Sequence, residues 1–92
     1  MNFVNVYQAI NSFIASDNIV LWGASSSGLR VLSNLKYFFD ISDKNICFYD
    51  SDPEKTGETL DGLDIVSKEE FLTIMIKPKS LCIVASSLIN DI

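Results

Sequence analysis

The sequence predicts an α/β domain built on a parallel sheet of about four strands flanked by helices. Three observations carry this. Apolar residues cluster at 19–22, 46–49, 63–66 and 81–85, and the first run shows no alternation, as expected for a strand covered on both faces. The segments between them show helical periodicity or capping signals, and parallel strands need such crossovers, which are right-handed. A glycine-bounded serine loop at 23–28 follows the first run directly. The expected strand order is 3-2-1-4, with a single domain over residues 1–92.

Along the chain, residues 3–15 place Phe3, Val6, Tyr7, Ile10, Phe13 and Ile14 at helical spacing. This reads as a helix covering one face of the sheet. A membrane-lying helix would need basic residues on its polar face, and none precedes Arg30. After the polar turn 16–18 comes the first strand, then the loop, then a helix over 29–39 with Leu29, Val31, Leu32, Leu35, Phe38 and Phe39 apolar. The second strand, 46–49, ends at Asp50. Pro53, Gly57 and Gly62 punctuate a loop that runs to the third strand at 63–66.

Ser67 stands three residues ahead of Glu70, the capping-box spacing. A helix is expected from there to the Lys77-Pro78-Lys79 segment, where proline disfavours helical geometry in the residue before it. The fourth strand, 81–85, ends in Ser86, and residues 86–92 are expected to begin a further helix. As the last strand it is expected to form an apolar sheet edge. That edge argues for pairing with a second copy, a homodimer, or with a downstream domain.

Composition excludes several function classes. Twelve acidic against seven basic residues give a net charge of −5, which argues against a nucleic-acid partner or an anionic membrane surface. No apolar run approaches the roughly 20 residues of a bilayer span, and the start lacks a positively charged signal region, so a cytoplasmic location and no membrane insertion are expected. The absence of histidine rules out Ser-His and Cys-His nucleophile pairs. Cys47 and Cys82 read as buried small hydrophobes. With one strand between them they would lie about 9 to 10 Å apart, too far for a disulfide.

The site expected from the residues is the crevice above strands 1 and 4, where the sheet changes its winding direction. It is bordered by Gly23, Ala24, Ser25, Ser26, Ser27 and Gly28 on one side and by Ser86 on the other. Gly23, Ser25 and Gly28 occupy the three glycine positions of G-x-G-x-x-G. The serine in the middle adds a Cβ where a pyrophosphate would rest on bare backbone, and also offers a hydroxyl donor. The helix N-terminus supplies free N–H groups and partial positive charge. Asp50 stands where dinucleotide folds place an acid on the ribose hydroxyls, or else is a solvated turn residue. Lys55 reads as a surface lysine or as one reaching a terminal phosphate; Arg30 faces either phosphate or solvent. No residue is assigned a catalytic or metal-binding role.

Ile-Val-Leu-Trp-Gly-Ala-Ser-Ser-Ser-Gly (19–28), Phe-Tyr-Asp-Ser-Asp-Pro-Glu-Lys-Thr-Gly (48–57), Asp-Gly-Leu-Asp-Ile-Val-Ser (61–67) and Ile-Val-Ala-Ser (83–86) together resemble the Rossmann-like domain of polysaccharide-biosynthesis proteins. This domain is shared by sugar O-acyltransferases, nucleotide-sugar dehydratases and methyltransferase-associated modules. The resemblance covers residues 18–87, and Asp-x-Asp-Pro-x-Lys-x-Gly is its most specific part. It implies a nucleotide-sugar or dinucleotide pocket lined by the 23–28 loop and Asp50, with NAD or a nucleotide sugar as the candidate ligand.

The chain departs from the family at Ser25. It also carries neither a hexapeptide-repeat β-helix nor a Tyr-x-x-x-Lys pair, since Tyr7, Tyr37 and Tyr49 are followed at that spacing by Asn11, Ile41 and Pro53. The resemblance therefore implies a nucleotide-type binding module, the non-catalytic part of a transferase or dehydratase. An interaction or oligomerisation domain that has lost its ligand, or a regulatory domain of a methyltransferase, is the alternative.

Overall fold

The computed structural model describes residues 2–5 and 9–85. In chain order the elements are β1 (Asn2–Asn5), α1 (Ala9–Ile14), β2 (Asn18–Trp22), α2 (Ser26–Phe38), β3 (Asn45–Tyr49), a 3-10 turn (Pro53–Lys55), β4 (Thr59–Leu60), β5 (Leu63–Val66), α3 (Lys68–Met75) and β6 (Ser80–Val84). They form a six-stranded mixed sheet in the order β1-β6-β2-β3-β5-β4. Every pairing from β1 through β5 is parallel, and the two-residue β4 closes the other edge antiparallel to β5.

The four expected strands lie side by side as β5-β3-β2-β6, in the expected order. The sheet is nonetheless larger than expected and not wholly parallel. β4 forms within the segment read as loop, because the Asp61-Gly62 turn, both residues at positive φ, folds Thr59 and Leu60 back onto β5. At the other end, the helix expected over 3–15 is replaced by β1 and the six-residue α1. Pairing of Asn2–Asn5 with residues 81–84 of β6 supplies main-chain partners that the helical period of the side chains does not anticipate. In consequence β6 lies between β1 and β2, so the apolar edge expected for the last strand does not exist. The expected helix at 86–92 lies outside the described residues.

Right-handed crossovers explain where the helices lie. The steps from β1 to β2 and from β2 to β3 run the same way across the sheet, and α1 and α2 share one face. There Phe13, Val31, Leu32 and Leu35 pack on Ile19, Leu21, Phe48, Leu81 and Ile83. The step from β5 to β6 runs back, which places α3 on the opposite face with Phe71 and Met75 against Val20, Val66 and Cys82. The winding direction therefore reverses between β2 and β6. Cys47 and Cys82 both stand in register with Val20, one strand apart on either side, and both thiols are free.

Helix α3 starts where the sequence places it, with the Ser67 hydroxyl accepting the Glu70 N–H at 3.1 Å. Lys44, from the loop before β3, secures the end of α1 by donating to the carbonyls of Ser16 at 2.6 Å and Ile14 at 3.2 Å. Among the described residues no helix is long and apolar enough to cross a membrane.

Candidate functional site

The parallel ladder of β6, β2 and β3 ends at Val84, Trp22 and Tyr49, which stand in register. It extends by one rung on each side, with Gly23 N–H donating to Tyr49 O at 2.8 Å and Ala85 N–H to Trp22 O at 2.9 Å. The chain leaving β2 must then turn sharply into α2. Gly23 makes that turn at φ 127°, a conformation side chains rarely permit. Gly28 permits the close approach that follows, since a Cβ there would lie 2.0 Å from the Gly23 carbonyl oxygen. The two outer glycines of the loop are thus fixed by backbone geometry.

The middle position is different. Ser25 is extended, at φ −146°, and serves as N-cap residue of α2, yet its hydroxyl makes no capping bond. Its carbonyl accepts the Leu29 N–H at 3.0 Å. The N–H groups of Ser26, Ser27 and Gly28 meet no described acceptor, and the first turn of α2 carries no acidic residue. Ser25 and Ser26 are exposed and Ser27 is half-buried. Among the described residues, then, nothing accepts from these N–H groups at the positive end of the helix dipole.

Asp50 meets the loop from the end of β3. Its Oδ2 accepts the Ala24 N–H at 2.8 Å, and its Oδ1 accepts the Asp52 N–H at 2.9 Å. Partial burial opposes its ionisation, but the two main-chain donors and the Lys55 ammonium outweigh that and hold its carboxyl below the usual range. The described contacts of Asp50 are thus with the protein's own main chain and Lys55.

Lys55 is neither a free surface lysine nor directed at open solvent. Its Nζ donates to Ala24 O at 3.0 Å and lies 3.6 Å from Asp50 Oδ2. The 3-10 turn swings it there: Asp52 Oδ1 accepts the Glu54 N–H at 3.0 Å and Pro53 opens the turn. The Asp-x-Asp-Pro-x-Lys spacing is the signal for this, an N-capped turn that returns a cation to the strand end it left. Arg30 is exposed on α2, and Ser86 lies outside the described residues.

Beside the loop, on the α3 face, Trp22 meets Tyr49 edge-on with ring centroids 5.6 Å apart, and Tyr49 stacks on Phe71 at 4.4 Å. The structure therefore brings together residues 23–28, Asp50 and Lys55, with the aromatic cluster to one side on the α3 face. No protein-family model, curated protein or solved structure matches this chain.

Proposed function

We propose that the chain is a nucleotide-type binding module, its ligand a nucleotide sugar or a dinucleotide such as NAD whose phosphate docks on the loop 23–28. In this reading the fold is Rossmann-like. The run β5-β3-β2-β6 is its core, and β1 and β4 are additions at the two edges. The module would serve a surface-polysaccharide or other sugar-modifying enzyme, with the reacting groups supplied by another part of that enzyme.

One observation carries the proposal. At the point where the winding reverses, the uncapped first turn of α2 presents three N–H groups and the positive end of a thirteen-residue helix. Ligands of open α/β sheets bind at such reversals, and helix N-termini favour anions. The Trp22 and Tyr49 rings at the same strand ends add apolar surface of the kind bases and sugars pack against.

The test is calorimetric titration with UDP-sugars, NAD and coenzyme A, followed by amide shift mapping. Binding with shifts concentrated at residues 23–28 supports the proposal. Absence of heat together with unmoved loop resonances refutes it.

A specific observation favours a second reading, a protein-interaction module. Tyr37 and Phe38, at the far end of α2, are 82% and 71% exposed and meet edge-on at 5.0 Å. A self-associating domain would show a concentration-dependent mass by light scattering that falls when both are replaced by serine.

A further inference from the structure

We propose that Asp50 and Lys55 form a polar latch on the Gly23-Ala24-Ser25 turn, setting the aim of the Ser26, Ser27 and Gly28 N–H groups and so acting on the ligand through the main chain. The proposal rests on the nucleotide-type reading of the same loop. It gives Asp50 a positioning role where the sequence suggested a ribose ligand.

The geometry grips the Ala24 residue at both ends. Its N–H is held by Asp50 Oδ2 at 2.8 Å and its carbonyl by Lys55 Nζ at 3.0 Å. The grips brace each other across 3.6 Å. Each is itself fixed, Asp50 by the Asp52 N–H and Lys55 by the 3-10 turn that Asp52 caps. Ala24 lies immediately before the N-cap residue, so a rotation of its flanking peptides re-aims the first turn of α2.

The usual local device for fixing that geometry is a side-chain N-cap. Ser25 does not provide one. The conformation of the loop therefore depends on contacts from across the sheet, and among the described residues these two side chains supply the side-chain hydrogen bonds, beside the main-chain bond of Gly23 N–H to Tyr49 O.

The full chain and its Asp50→Ala, Lys55→Met and Lys55→Arg variants test this by amide hydrogen exchange and by titration with ADP and UDP, each beside its 2′,3′-dideoxy form. The latch predicts that exchange at Ala24 rises at least tenfold in D50A and K55M while Val20 and Leu32 amides keep their rates. K55R should return toward wild type. Affinity for ribo and dideoxy forms should fall together, at least fivefold, in both variants.

Unchanged Ala24 exchange in both variants overturns the latch. So does a D50A loss confined to the ribo forms, which would make Asp50 a ribose ligand. Wild-type protein that binds neither nucleotide overturns the nucleotide reading instead, and the exchange rates alone then decide whether the latch holds the turn. Should D50A fail to fold, the K55M and K55R pair decides by the same criteria.

Discussion

The α-carbon of Gly28 faces the Gly23 carbonyl so closely that a β-carbon would stand 2.0 Å from its oxygen and 3.0 Å from Phe48 Cε1. The first of these neighbours is backbone, held by the Gly23 N–H bond to Tyr49, so it cannot swing aside as a side chain would. Gly28→Ala must therefore push α2 away from the sheet. Overpacking of this kind costs about 1 to 3 kcal/mol, occasionally more. Urea denaturation should show a loss at or above the upper end of that range, although alanine is the better helix former.

Acid should weaken the fold partly through Asp50. A carboxyl whose folded value lies below its unfolded one, about 3.9, contributes stability that is complete above the unfolded value. That contribution disappears as pH falls through the folded value. Asp40, held down by the hydroxyl and N–H of Ser42, titrates in the same direction, so the informative quantity is the difference between wild type and D50A. At pH 7 that difference should be about 2 kcal/mol, the scale of hydrogen bonds to a charged group. It should shrink steadily as acid protonates Asp50, and a difference that stays constant down to pH 2 would contradict the assignment.

Lys44 offers a third test, at the opposite end of the sheet. Its Nζ donates to the carbonyls of Ser16 and Ile14 and lies 5.2 Å from the centroid of the Phe13 ring. Helix α1 has no basic residue in its own last turn; Ser16 takes the Ser12 and Phe13 carbonyls, and this distant lysine takes that of Ile14 and the Ser16 carbonyl just beyond the helix. Lys44→Met keeps the aliphatic stem and removes the donor. The expected loss is about 1 to 2 kcal/mol, measured by thermal unfolding, with faster amide exchange at Ser16, whose N–H donates to Phe13 O at the helix end.

These sites also show what the sequence reveals and what it hides. The four apolar runs are legible as strands because their burial is written in the side chains, and they lie in the expected order. β1 is hidden because Phe3, Val6, Tyr7 and Ile10 satisfy a helical period, while the pairing that decides the matter comes from β6, much later in the chain. The two outer glycines of the loop are legible because a positive φ and a close approach each demand that residue. Lys55 is illegible as a lone lysine, since its partner is the carbonyl of Ala24, and a main-chain acceptor leaves no mark on composition.

Burial raises both thiols, Cys47 to about 11 and Cys82 to about 12, with the nearby acids Glu70 and Asp64 adding to the effect at Cys47. At pH 8 neither is appreciably thiolate, and the thiolate is the reactive form. Their register on either side of Val20 also separates them by two strand spacings, about 9 to 10 Å, beyond disulfide reach. A thiol reagent at pH 8 should therefore modify the folded chain slowly. Cys47, half-buried, should react before the fully buried Cys82. In urea both should react at the rate of a free cysteine, and mild oxidation of the folded protein should leave its mass unchanged by any intramolecular bridge. Rapid labelling of Cys82 ahead of Cys47 under native conditions would show that the α3 face opens far more readily than its packing of Phe71 and Met75 on Cys82 implies.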